Sequence, residues 1–168
     1  MIQGLYAITP SGLEENDLLT KTEALLKEGI KLIQYRDKIL DKKTFQEKAY
    51  ALLKLTKKYG AKLVINDHVE ICLEISADGF HLGLEDYSSE GNIELLKKNK
   101  EFISKNLICG LSCKWNKELV VNPPEKEIKW TYLAVGSFYP SNTKSTIPEK
   151  NENIKKNFLS YTDKPLVA

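Results

Sequence analysis

Short apolar runs alternate with stretches of helical spacing along the whole chain. Leu5 to Thr9 reads as a strand. Asn16 or Asp17 caps a helix carrying Leu18, Leu19, Ala24, Leu25 and Leu26, and Gly29 stops it. Leu32 to Tyr35 predicts a second strand. Thr44-Phe45-Gln46-Glu47 has the form of a capping box, with a helix behind it that runs to Gly60. Lys62 to Asn66 predicts a third strand, Val69 to Ile75 a short helix on a three-to-four apolar spacing, and Gly79 to Leu82 a fourth strand. A helix is expected around Ile93 to Lys98, a fifth strand over Leu107 to Leu111, and a weak helix near Lys117 to Val121. Tyr132 to Val135 predicts the sixth strand, Asn151 to Leu159 a helix, and Lys164 to Ala168 opens a seventh strand.

This β-α-β-α order predicts a parallel sheet covered by helices. About seven strands at this spacing suggest a (β/α)8 TIM barrel that is incomplete as given and ends before the last βα units. Residues 1–168 then form a single barrel domain, truncated at the C-terminus. An open doubly wound sheet is the structural alternative.

Composition narrows the function classes. The 168 residues fit one domain with a sizeable core, and 42% hydrophobic and 29% charged content are ordinary for a globular chain. A net charge of +2 is too small to argue for general nucleic-acid binding. No apolar stretch is long enough to span a bilayer, and the start lacks a signal-peptide pattern. Three cysteines, an odd number, argue against a disulfide framework and for a reducing, cytoplasmic setting. On one strand Cys109 and Cys113 would lie roughly 13 Å apart, beyond disulfide reach. With two histidines and no C-x-x-C, a zinc site is not expected.

The candidate chemistry lies where strands end, since parallel α/β folds place reactive residues at the carboxyl edge. Read as a strand, Leu32 to Lys38 puts Gln34, Arg36 and Lys38 on one face. Such a row needs either water or an anionic ligand opposite it, so it is a surface strand or a phosphate pocket. Asn66-Asp67 ends the third strand and is equally a cap for the helix at Val69. His81 to Asp86 ends the fourth strand and is either an acidic surface loop or part of the site. Asp67 and Asp86 at sequential strand ends, beside Arg36 and Lys38, would suit Mg²⁺ and a phosphorylated ligand. Ser112 could donate to a phosphate, and Ser141, Thr143 and Lys144 follow Gly136 in a polar loop that could hold a second one. Each is also explicable as turn chemistry. His81, Trp115, Trp130 and Phe138 read as packing residues, although Phe138 could flank a ring-shaped ligand. Cys113 reads as a small buried residue rather than a nucleophile.

These motifs together resemble the thiamine phosphate synthase family over nearly the whole chain. Leu5-Tyr6-Ala7-Ile8-Thr9 echoes its first strand. Gln34, Arg36 and Lys38 match its Gln-x-Arg-x-Lys motif, and Asn66-Asp67 its Asn-Asp pair. Ala77 to Asp86 is close to its ADGVHLGQED stretch, with Phe80 for Val and Leu84 for Gln. Gly110-Leu111-Ser112-Cys113 resembles a variant of its fifth strand, and Gly136 to Lys144 its G-x-x-F-P-S-x-T-K loop. The resemblance implies a Mg²⁺-dependent transferase of thiamine biosynthesis. It joins hydroxymethylpyrimidine diphosphate to hydroxyethylthiazole phosphate, giving thiamine phosphate and pyrophosphate by a dissociative substitution.

By resemblance, Gln34, Arg36, Lys38 and Asn66 would hold the diphosphate, and Asp67 and Asp86 the Mg²⁺. Ser112 and Lys144 would contact the diphosphate or the reacting pyrimidine, as the catalytic pair. Ser141 and Thr143 would hold the thiazole phosphate. The expected partners are small phosphorylated substrates, with no nucleic acid and no membrane, and a homo-oligomer is compatible with the reading. The chain departs from the family by stopping before its Gly-Gly-Ile-type loop and eighth strand. Two rivals follow: a thiazole tautomerase-like isomerase, and a non-catalytic barrel fragment that binds phosphorylated ligands.

Overall fold

A computed structural model describes residues 4–124, 128–136, 158 and 160–168. Residues 4–81 form one compact unit and residues 82–168 a second. In the first, β1 (Tyr6–Ile8), α1 (Glu15–Lys27), β2 (Leu32–Tyr35), α2 (Lys42–Lys58), β3 (Lys62–Asn66), α3 (Val69–Glu74) and β4 (Gly79–Leu82) alternate. The strands pair in parallel and in chain order, with Ile8 opposite Gln34, Gln34 opposite Val64 and Asn66 opposite His81.

That register sorts the side chains. Ile33, Tyr35, Leu63, Ile65 and Phe80 share one face, where each is at most 1% exposed. Burying residues of this size stabilises the fold by roughly 1.5–3 kcal/mol each. α2 covers Tyr35 with Phe45, ring centroids 4.4 Å apart. It also buries Ala49, Leu52, Leu53 and Thr56, the stripe that its apolar spacing predicts. The opposite face carries Gln34, Val64, Asn66 and His81.

The second unit holds α4 (Leu84–Tyr87), α5 (Glu90–Lys98), α6 (Lys100–Asn106), β5 (Ile108–Ser112), α7 (Lys117–Val121), β6 (Tyr132–Ala134) and β7 (Leu166–Val167). β5, β6 and β7 pair in parallel, Ser112 opposite Ala134 and Ala134 opposite Val167.

Several boundaries differ from the sequence expectation for local reasons. β2 ends at Tyr35, where its apolar run ends, so the reading of Leu32 to Lys38 as one strand face does not hold, and Arg36 and Lys38 are loop residues. α2 is capped by Asp41, which accepts from the Lys43 and Thr44 amides, so Thr44 lies inside the first turn instead of capping it. α1 begins at Glu15, with Glu15 and Asp17 in its first turn, where carboxylates suit the helix dipole. The stretch at Leu84 to Tyr87, a surface loop on one sequence reading, is helical, and a further helix, α6, precedes β5. The helix expected over Asn151 to Leu159 lies, except for Phe158, outside the described residues.

Candidate active site

Gln34 is only 3% exposed, and its amide nitrogen donates to the Tyr6 hydroxyl at 2.9 Å, on the face opposite the helices. Asn66, also buried, follows three aliphatic residues of β3, and its side chain has no hydrogen-bond partner among the described residues. Its register neighbour His81 is buried beside it, so a residue read as packing shares the Gln34–Asn66 face.

The backbone turns sharply after Asn66. Asp67 has a φ of 65°, a left-handed conformation that aspartate tolerates better than most residues. The His68 amide reaches back to the Asn66 carbonyl at 2.9 Å, and the Asp67 amide donates to the His81 carbonyl at 2.9 Å. This turn presents the Asp67 carboxylate to Lys38, whose Nζ lies 2.9 Å from Oδ2. Lys38 remains 53% exposed, so the ion pair is weakly held. The Arg36 guanidinium has no hydrogen-bond or ion-pair partner among the described residues. The first unit therefore gathers two cations, a buried amide and a carboxylate at the carboxyl ends of β2 and β3.

In the second unit, Gly83 caps α4 and Asp86 lies in its first turn. A Cβ built on Gly83 would come within 2.9 Å of the Asp86 carboxylate, so the missing side chain leaves room for that group. The Asp86 carbonyl is pinned by the Ser89 hydroxyl at 2.9 Å and the Asn92 side-chain amide at 2.7 Å. Ser112 is the last residue of β5. Ser141, Thr143 and Lys144, along with Phe138, lie outside the described residues.

Cys109 and Cys113 are free, and burial pushes both thiols up to about 12. At neutral pH both are inert thiols rather than nucleophiles.

Sequence reasoning passed over Asp37, Thr9 and Ser11. Asp37 occupies an unspecified position of the Gln-x-Arg-x-Lys motif. Its signal was an acidic residue standing between two cations.

The pattern of the thiamine monophosphate synthase family matches residues 5–168. The chain belongs to that family. Thiamine-phosphate synthase of Nitrosospira multiformis is 35% identical over 170 residues, covering 99% of this chain and 68% of its own length. Thiamine-phosphate synthase of Janthinobacterium sp. (strain Marseille) is 36% identical over 143 residues, covering 85% and 65%. Thiamine phosphate pyrophosphorylase from Pyrococcus furiosus superposes with a TM-score of 0.74 at 27% identity, covering 97% of this chain and 72% of that one. A truncated 3-deoxy-D-arabino-heptulosonate 7-phosphate synthase from Thermotoga maritima, at 18% identity and a TM-score of 0.59, shares the fold alone. The fold class is thus the α/β TIM-barrel type, in incomplete form. The chain spans about two thirds of the length of the curated relatives it matches.

Proposed function

We propose that this chain contributes the pyrimidine-diphosphate site of a thiamine phosphate synthase. The observation that carries the reading is the cluster of Arg36, Lys38, Asn66 and Asp67 at the carboxyl ends of β2 and β3, in a chain of that family. The substrates are hydroxymethylpyrimidine diphosphate and hydroxyethylthiazole phosphate.

Gln34 and Asn66 orient the diphosphate as hydrogen-bond donors, and Arg36 meets it with a planar, permanently charged fork. Lys38 is half exposed and ion-paired to a single carboxylate oxygen, so it can turn from Asp67 to a phosphate oxygen. By family likeness alone, Asp67 and Asp86 are the residues that would hold Mg²⁺. Two features fit that role: Asp67 already faces a cation, and the absent Gly83 side chain leaves space against Asp86. Mg²⁺, when bound, neutralises diphosphate charge and eases departure of the leaving group.

The bond between the pyrimidine methylene carbon and the diphosphate oxygen breaks, with its electron pair leaving on pyrophosphate. The thiazole nitrogen lone pair then forms the new carbon–nitrogen bond. Arg36 and Lys38 stabilise the charge that develops on pyrophosphate. No protein nucleophile is needed, which accords with the inert cysteines. Ser112 and Lys144 are assigned to the diphosphate or the reacting pyrimidine, and Ser141 and Thr143 to the thiazole phosphate, by family likeness alone.

The test supplies both substrates and Mg²⁺ to the purified chain and follows thiamine phosphate by fluorescence after oxidation. The expected result is product that disappears with EDTA and in Asp86→Ala. Metal-independent product, or an active Asp86→Ala enzyme, would remove the metal assignment. Absence of product from a folded chain that still binds the diphosphate would favour the binding-only reading.

A further inference from the structure

Past the last strand rung, residues 9–12 and 36–39 stay locked together by side chains. The Thr9 amide donates to the Gln34 carbonyl at 2.9 Å, where regular pairing ends. The Arg36 amide then donates to the Thr9 hydroxyl at 3.0 Å, and that hydroxyl donates to the Arg36 carbonyl at 3.3 Å. The Lys38 amide donates to the Ser11 hydroxyl at 3.2 Å. The Asp37 carboxylate accepts from the Gly12 amide at 2.8 Å through one oxygen and from the Ile39 amide at 3.0 Å through the other. Thr9 and Asp37 are each only 8% exposed. From α2, Lys48 steadies the same loop by donating to the Leu13 carbonyl at 2.7 Å.

We propose that Asp37 and Thr9 are positioning residues of the anion site, holding the backbone of Arg36 and Lys38 without touching the ligand. The proposal rests on the reading of Arg36 and Lys38 as diphosphate-binding groups. A carboxylate between two such cations opposes an anion by its charge. Its contribution is therefore geometric: it satisfies two backbone amides that would otherwise lack acceptors as the chain leaves the sheet. Thr9 does the same for Arg36 with one hydroxyl that both accepts and donates.

The two roles predict opposite signs for Asp37→Asn. If the charge mattered most, removing it would tighten anion binding. Asparagine, however, offers one acceptor oxygen where two amides point, so loss of positioning weakens binding.

The experiment titrates inorganic pyrophosphate with Mg²⁺ into the full chain by calorimetry, with melting curves for each variant. Asp37→Asn and Thr9→Val are expected to weaken binding about tenfold, the scale of a small misplacement of binding groups. Thr9→Ser, which keeps the hydroxyl, restores near wild-type affinity. Asp78→Asn is the matched control, because Asp78 also accepts from a backbone amide, that of Leu63 at 2.9 Å, at the other end of the strands. It should lower the melting temperature without changing pyrophosphate affinity.

Unchanged or tighter binding in Asp37→Asn, with weaker binding in Arg36→Ala, overturns the positioning role alone. Equal loss of affinity in Asp78→Asn also overturns it, by showing general destabilisation. Wild-type affinity in Arg36→Ala overturns the anion site itself, and the positioning role with it.

Discussion

The two ends of the strands in residues 4–81 differ in whether particular polar side chains are partnered. At the amino end each of the polar groups that follow finds a partner. Lys62 Nζ lies 2.7 Å from Asp78, whose other oxygen takes the Leu63 amide at 2.9 Å. Lys31 Nζ donates to the Tyr59 carbonyl, the C-cap of α2, at 2.7 Å. At the carboxyl end, the Arg36 guanidinium and the Asn66 side chain have no partner among the described residues. Left-handed backbone does not separate the two ends: Asp67 has a φ of 65° after β3, and Ser76 a φ of 55° before β4. One end closes the fold. The other leaves the Arg36 charge without a partner among the described residues, as the proposed diphosphate site requires.

Variants can break or sharpen that contrast. The largest effect is expected for Asp67→Asn, which keeps a residue able to adopt the left-handed turn but removes the charge. Turnover should fall at least about 100-fold, with little change in melting temperature, because an exposed ion pair contributes roughly 0–1 kcal/mol. Paired activity and melting measurements check this, and a large loss of stability would make Asp67 a structural residue like Asp78.

The converse holds at the amino end. Asp78→Asn should lower unfolding free energy by on the order of 1.5–3 kcal/mol, the worth of hydrogen bonds to a charged group. Denaturant melts give the number, and altered pyrophosphate affinity in that variant would erase the distinction between the two ends.

Next comes Asp41, which sits just beyond β2 but serves the scaffold. Its hydroxyl partner Thr44 leads the hydrogen bonds that hold its carboxyl below the usual value of 3.8. With the folded pKa depressed, its charge-dependent stability is present above 3.8 and is lost as pH falls through the lower folded value. The melting-temperature gap between wild type and Asp41→Ala should therefore shrink in acid. A gap that widens on acidification would reverse the sign of this linkage.

The smallest stability change is expected for Gly83→Ala. The added methyl meets only the Asp86 carboxylate, a side-chain end that can shift, so stability should change by less than about 1 kcal/mol. The Mg²⁺ concentration giving half-maximal activity should rise several-fold, and an unaltered metal dependence would separate Asp86 from the metal.

Much of this was legible in the chain. β2, β3 and β4 fall on the residues that their apolar runs predict, because buried parallel strands read as continuous aliphatic stretches between turn signals. Gly29 and Gly60 end their helices with φ values of 87° and 59°, a conformation glycine adopts without strain. Asp41 was overlooked because Thr44 to Glu47 also fits a cap, and local sequence alone does not choose between two caps in adjacent turns. Arg36 and Lys38 seemed to continue β2 because period-two alternation carries no stop signal. Pairing ends there because the next amides find Thr9 and Ser11 hydroxyls instead of a strand carbonyl.

The sequence by itself determined the order of elements, the apolar face that drives α2 onto the sheet, the family, and the residue types offered at the strand ends. Only the tertiary structure decided that Lys38 meets Asp67, that Asn66 and His81 share a face, and that Asp37 faces Gly12 across the β1 and β2 loops. Helices and buried strands depend on periodicities within a few residues, which a linear pattern carries. The contacts between Asp37 and Gly12, or Lys38 and Asp67, join residues more than two dozen positions apart. They depend on register between neighbouring strands, which exists only after the chain has folded.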